Sequence, residues 1–297
     1  MNILIAGAHG QLGCELQKIL REGRAEIGAL SPRYEGAHVV ATDCTQLDIT
    51  SEDAVCGFVQ RHSFDLIINC AAMTDVDACE SHKEAAYLVN AVGPRNLACA
   101  ASAAGAKFVQ VSTDYVFSGD ERRPRTETDP CNPQTVYGAT KRAGEQFVAD
   151  SCEKYFIVRT AWLYGLTGNN FVKTMMKLAQ ENAEIKVVND QWGNPTNAND
   201  LAYEILKIAL SKNYGIYHAT NNGICTWYDF AQAIVDEAAI ECVRTPCTTE
   251  EFPRPAKRPA YSALDNKRLR ETVGDEMRPW REALNAYVGC CKNSLGE

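Results

Sequence analysis

The 297-residue sequence has no run approaching the roughly 20 apolar residues that a membrane-spanning helix needs, so no membrane span is expected. It has no block of Lys or Arg either. With 30 basic against 38 acidic residues the formal net charge is -8, and without clustered positive charge neither a nucleic-acid nor an anionic-membrane partner is expected. A local basic pocket for one phosphorylated ligand stays compatible with that charge. Met1 to Gly7 carries no basic leader and runs straight into a glycine-rich turn, which argues against a secretory signal. The 13 cysteines form no CxxC pair and no Cys/His cluster at zinc spacing, so reduced thiols and a cytoplasmic location are expected, with no metal site. Cys14, Cys70 and Cys99 lie in apolar stretches and read as small buried hydrophobes. No internal repeat and no low-complexity segment interrupts the chain.

What is present is an alternation. Short apolar runs (Asn2 to Ala6, His38 to Ala41, Leu66 to Cys70, Lys107 to Ser112, Phe156 to Arg159) alternate with helical patterns at Gln11 to Leu20, Asp53 to Arg61, Glu80 to Asn90 and Pro94 to Ala104. That order predicts an α/β fold, a Rossmann-like doubly wound parallel sheet with a smaller α/β C-terminal part. Residues 1–165 are expected to bind a dinucleotide, with 198–222 returning to the sheet through a strand at Tyr214 to Ala219. Residues 166–297 are expected to close over it as a substrate part. Helices are expected at Phe171 to Glu181, Asn199 to Ser211, Trp227 to Ala239 and Trp280 to Val288, and a strand at Ile185 to Val188. Pro246, Pro253, Pro255 and Pro259 predict an ordered loop instead of a regular element.

Gly7, Gly10 and Gly13 follow the first strand and open a helix. Glycine allows a tight turn and close approach to a pyrophosphate, and the helix N-terminus offers free N–H groups to it. The spacing is GxxGxxG. A dinucleotide fold usually ends its second strand with an acid for the adenosine ribose, about 20 residues past the turn. Asp43 fits that place, although it lies 30 residues after Gly13. Two readings stand, Asp43 on a 2'-hydroxyl or Arg33 on a 2'-phosphate. Asp48 and Ile49 form a second pair expected near the adenine, with a solvated turn as the alternative.

Tyr137 and Lys141 stand at i and i+4 at the start of a predicted helix, on one face. A phenol of pKa about 10 becomes a useful acid when a neighbouring ammonium stabilises its phenolate. It can then protonate an oxygen that gains charge as hydride reaches its carbon. The strand before it runs into Ser112, Thr113 and Asp114, placing a hydroxyl where α/β sheets bind ligands. Thr113 is the expected substrate-orienting group, with Ser112 turned toward the sheet by strand alternation.

GxxGxxG after the first strand, STDYVF after a later one and YxxxK on the next helix resemble the extended short-chain dehydrogenase/reductases. More narrowly, AGAHGQLG, NCAAMTDVDACE, VSTDYVFSG, VYGATKRAGE, RTAWLYG, GNNFVKTM, NDQWGNPT and RPAYSALDN, in order from Met1 to about Leu269, resemble the dTDP-4-dehydrorhamnose reductase family. The resemblance implies NADPH- or NADH-dependent reduction of the C4 ketone of a dTDP-4-dehydro-6-deoxy sugar, for cell-surface polysaccharide. It implies Thr113, Tyr137 and Lys141 as the catalytic triad, with Tyr137 as proton donor and Lys141 on the nicotinamide ribose. Gln11, Leu12, Asp43, Asp48, Ile49, Ala72, Met73, Thr74 and Val111 would join the glycines at the cofactor, and Thr113, Asp114 and Trp162 would line the sugar site. Trp162 as a core aromatic and Asn90 as a helix brace are the plain alternatives. Asn170, Asp190 and Gln191 read as loop hydrogen-bonding groups, and Arg258 as a diphosphate contact.

Some relatives bridge a homodimer with magnesium through carboxylates. Only Glu15 matches here, so Mg2+ is not supported by the sequence. Two alternative functions carry the same scaffold. One is an NADP-binding regulatory subunit resembling that of methionine adenosyltransferase; the other is a sugar-nucleotide epimerase or dehydratase that retains its NAD.

Overall fold

The computed structural model describes residues 1–295, with side chains up to Cys291. The strands of four or more residues are β1 (Asn2–Ala6), β2 (His38–Thr42), β3 (Leu66–Asn69), β4 (Lys107–Thr113), β5 (Tyr155–Thr160), β6 (Glu184–Val188), β7 (Gly215–His218) and β8 (Val243–Cys247). Six of them form one parallel sheet in the order β2-β1-β3-β4-β5-β7. From β1 the chain moves outward to β2 and then crosses back to β3. The order therefore reverses between β1 and β3, and a crevice opens there at the carboxyl ends of the strands.

The helices are α1 (Gln11–Glu22), α2 (Glu52–His62), α3 (Val76–Ser81), α4 (Lys83–Tyr87), α5 (Gly93–Ala104), α6 (Val136–Ser151), α7 (Phe171–Glu181), α8 (Ala198–Leu210), α9 (Trp227–Ala238), α10 (Lys267–Thr272) and α11 (Trp280–Leu295). Strand periodicity sorts the core into two faces. Ile3 and Ile5 pack with Leu12, Leu16 and Ile19 of α1 and Leu201 and Ile205 of α8. Leu4 and Ala6 face the other way, toward Val55 and Val59 of α2 and Leu97 and Ala101 of α5. A third core, built on Val172, Ile185, Val187, Phe230, Ile234 and Leu284, joins α7, α9 and α11 to the small parallel sheet of β6 and β8. No helix among the described residues is long and apolar enough to cross a membrane.

Three sequence expectations need correction. The single helix expected over Glu80 to Asn90 breaks at His82 and passes through a π turn, Leu88–Val92, before α5. The extra residue of the π turn goes with Asn90, whose side chain is pulled out of helical register to hold the loop after β3. Pro246 lies inside β8. That strand pairs only with β6, so a residue without an N–H sits on a free edge without breaking a ladder. No cysteine forms a disulfide among the described residues, but Cys99 is exposed and Cys14 and Cys70 are half-buried.

Helix α6 approaches the π turn closely: a Cβ on Gly144 would lie 2.2 Å from the Asn90 carbonyl oxygen. Gly144→Ala should therefore force the two backbones apart and lower stability by about 1–3 kcal/mol. A denaturant midpoint equal to that of the wild type would contradict this packing.

Candidate active site

A cavity of about 530 Å³ opens at the carboxyl ends of β1, β3, β4 and β5. Its floor is the glycine turn. Gly7 has φ +76°, and a Cβ on it would lie 2.5 Å from the Ala71 nitrogen; one on Gly13 would lie 2.4 Å from the Gly7 oxygen. Neither position admits a side chain. Gly10 caps α1 with no side-chain bond, so the first N–H groups of the helix have no internal partner. Gly10, Gln11, Leu12 and Gly13 line the cavity, and this cradle of free amides fits the diphosphate of a dinucleotide.

The end of β2 lies beside this turn, because the Gly7 and Ala8 amides both donate to the Thr42 carbonyl (2.9 and 3.0 Å). Asp43 follows, with Oδ2 3.1 Å from His9 Nδ1. Hydrogen bonds from Thr45 hold its carboxyl below the usual range, and the nearby His9 adds to that. Asp48 is exposed, where it accepts from the Thr50 amide (2.9 Å) and hydroxyl (2.7 Å). Ile49 is buried against Gly93. Neither Asp43, Asp48 nor Ile49 lines the cavity.

Beyond β3, Ala72 and Thr74 line the cavity and Met73 does not. Asn90 grips Met73 at both ends of its peptide unit, accepting from its amide (2.9 Å) and donating to its carbonyl (3.1 Å). It also donates to the Thr140 hydroxyl (3.3 Å), so the brace ties this loop to α6.

The opposite wall is the end of β4 with α6 laid against it. Thr135 caps α6, its hydroxyl accepting from the Gly138 amide, and a Cβ on Gly138 would lie 2.2 Å from the Tyr115 oxygen. Tyr137, Lys141 and Glu145 then fall one turn apart on one face. Lys141 Nζ donates to the Val111 carbonyl (2.7 Å), and Glu145 accepts from the Ser112 hydroxyl (2.6 Å). Thr113 donates to Asp114 Oδ1 (2.8 Å) and acts on the Tyr137 phenol. Val111, Thr113, Asp114, Tyr137 and Lys141 all line the cavity.

The electrostatics differ from the expectation of an ammonium lowering the phenol pKa. Burial pushes the Tyr137 phenol up, Thr113 pulls it partly back, and Lys141 is turned to Val111 instead. Burial also lowers Lys141 to about 8, against the opposing pull of Glu145 and Cys70. Asp114 is raised to about 6 by burial, with the Thr113 and Ser262 hydroxyls opposing.

Trp162, just past β5, lines the cavity with a left-handed backbone, φ +48°. Asn170 caps α7 and donates to Gln11 Oε1 (3.1 Å), which places a loop group at the glycine turn. Asp190 and Gln191 bond Thr249 (2.6 and 2.9 Å), as loop groups do. Arg258 does not face the cavity: its guanidinium is paired at 2.8 and 2.9 Å with Asp77, which has drawn it onto α3. Glu15 likewise accepts from Asn199 (2.9 Å), joining α1 to α8. Sequence reasoning missed Glu145, which the extension of YxxxK to YxxxKxxxE signals, and Trp227, which no spacing connects to the site.

A family model described as "RmlD substrate binding domain" matches residues 1–292. The chain belongs to the dTDP-4-dehydrorhamnose reductase family. A dTDP-4-dehydrorhamnose reductase of Clostridium acetobutylicum superimposes with a TM-score of 0.93 at 51% identity, over 98% of this chain and 100% of that one. The enzyme of Bacillus anthracis, solved in complex with NADP, gives 0.90 at 44% identity, over 96% and 98%. The dTDP-4-dehydrorhamnose reductase of Aggregatibacter actinomycetemcomitans is 40% identical over 95% of this chain and 96% of its own.

Lys141 carries its charge below a pH of about 8 and loses it above. NADPH affinity should therefore fall as pH rises through that value, and Lys141→Ala should bind weakly with a flat profile. A wild-type affinity that does not change between pH 7 and 9 would remove Lys141 from the cofactor site.

Proposed function

We propose that this chain reduces the C4 ketone of dTDP-4-dehydrorhamnose with NADPH or NADH, yielding dTDP-L-rhamnose. The observation that carries it is the convergence of Thr113, Tyr137 and Lys141 on one cavity floored by a tight glycine turn. The bound cofactor supplies the hydride. Gly7, Gly10 and Gly13 give the backbone room for its diphosphate, and Gln11 and Leu12 offer amides to it. Asp43, Asp48, Ile49, Ala72, Met73, Thr74 and Val111 are assigned to the rest of its length. Asp43 is assigned to the adenosine ribose. Residues 1–165 and 198–222 form the cofactor part and 166–297 the substrate part in this reading, which places the work in the cytoplasm, where thiols stay reduced.

The residues divide the chemistry between them. Thr113 turns its one hydroxyl hydrogen from Asp114 to the ketone oxygen and holds it at Tyr137. Tyr137, protonated at neutral pH and held more firmly so by its burial, gives its proton to that oxygen as charge develops on it. Lys141 positions the nicotinamide ribose. Asp114, ionised above a pH of about 6, accepts a sugar hydroxyl, and Trp162 bounds the ring. Net oxidation of the cofactor with each sugar separates this reading from an epimerase or dehydratase, and any turnover separates it from a purely cofactor-binding subunit.

Tyr137→Phe should fold and bind NADPH as the wild type does, yet lose about 10²–10⁴-fold in turnover of the 4-keto sugar nucleotide. Wild-type turnover in that variant would count against the acid role.

A further inference from the structure

Among the described residues, buried side-chain atoms without a hydrogen-bond partner occur in the cavity wall at two positions, Asp114 Oδ2 and Thr160 Oγ1. The reading above gives Asp114 a sugar hydroxyl. Thr160, only 7% exposed, has no role in it. A buried hydroxyl left unmatched is destabilising, and one kept in a cavity wall points to a ligand that completes it.

Strand register places this hydroxyl. Thr160 ends β5 directly opposite Thr113, which ends β4, as Arg159 is opposite Ser112. Arg159 and Ser112 both turn to Glu145, so by alternation Thr160 and Thr113 share the other face of the sheet, on strands about 4.8 Å apart. The Thr113 hydroxyl holds Asp114, whereas that of Thr160 holds nothing. One χ1 rotation therefore exchanges the Thr160 hydroxyl and methyl without losing a hydrogen bond.

The order of the sheet says which ligand reaches it. The glycine cradle lies at the end of β1, with Asp43 just past β2 on one side, so a dinucleotide with its adenosine at Asp43 extends the other way, across β3 and β4 to β5. Ala72 and Thr74 after β3, and Val111 on β4, line that path. Thr160 comes next, one strand beyond the Val111 carbonyl that Lys141 holds. Asp114 and Trp162, the sugar-side groups, follow only after β4 and β5 have ended. A carboxamide carries both a donor and an acceptor, and a threonine hydroxyl answers either. We propose that the Thr160 hydroxyl anchors the carboxamide of the nicotinamide ring, beside the Thr113 and Tyr137 that hold the ketone. The inference rests on the dinucleotide reading of this cavity.

Thr160→Val removes the hydroxyl and keeps the shape. The test compares the full chain with this variant in thermal stability without ligand, and in calorimetric affinity for NADPH, for its fragment 2'-phospho-ADP-ribose and, at saturating NADP+, for dTDP-L-rhamnose. Thr160→Val should be at least as stable as the wild type, because the lost hydroxyl had no partner, and should bind NADPH about tenfold more weakly. The fragment, which has no nicotinamide ring, should bind both alike. Thr160→Ser should keep most of the NADPH affinity. Unchanged NADPH affinity in Thr160→Val, an equal loss for the fragment, or a loss confined to dTDP-L-rhamnose would overturn the anchor. A less stable Thr160→Val would assign the hydroxyl to the fold and overturn it too. The two readings fail separately. Thr160-dependent NADPH binding without oxidation by any 4-keto sugar nucleotide sinks the reductase and keeps the anchor, whereas ketone reduction with wild-type NADPH affinity in Thr160→Val sinks the anchor alone.

Discussion

The carboxylate of Glu145 sits fully buried between α6 and the ends of β4 and β5, accepting hydrogen bonds from Ser112, Arg142 and Arg159 at 2.6 to 2.8 Å. Arg159 is itself only 1% exposed. Burial alone would raise the pKa of Glu145, but the Arg159 guanidinium, with Ser112 and Arg142, more than offsets it and keeps the carboxyl ionised. A charge in this position is tolerated only while every partner is in place, since a lone buried ion is penalised by several kcal/mol. That requirement gives α6 one height and one rotation relative to β4. Lys141 and Tyr137, one and two turns earlier, then reach Val111 and Thr113. The wall that carries Thr113, Tyr137 and Lys141 is thus set by an ion pair that does not itself line the cavity.

Much of this architecture is legible in the chain because it rests on local rules. The strands NILIA and LIIN are apolar runs of the length that a sheet covered on both faces demands, and α7 spans Phe171 to Glu181 as its periodicity predicts. The glycine turn is readable because glycine recurs at three positions within seven residues, two of which, Gly7 and Gly13, exclude a Cβ. Thr113, Tyr137 and Lys141 are legible through a strand end followed by an i, i+4 pair, and the sheet brings both to the same opening.

What was not legible depends on partners far away in sequence. Arg258 looks like a free cation in a proline-rich loop, yet Asp77, 181 residues earlier, takes both arms of its guanidinium. Asn90 reads as a helix residue because nothing nearby announces that Met73 needs its two peptide groups held. Trp227 opens an ordinary amphipathic helix, and only the approach of Trp162 gives it a place at the cavity. Pro246 misleads for the opposite reason, since proline excludes a central strand but not a free edge.

The position of β7 has a consequence for biosynthesis. The outermost strand of the six-stranded sheet is drawn from residues 215–218, after the chain has built β6, α7 and α8 elsewhere. On a ribosome adding about 5–20 residues per second, the outer edge of β5 emerges some 3 to 11 s before its neighbour does. During that interval the apolar segment YFIVRT presents unpaired amides and carbonyls to other nascent chains. Cotranslational protection of that edge, by a chaperone or by early docking of α6, is therefore a demand that the topology itself places on the cell.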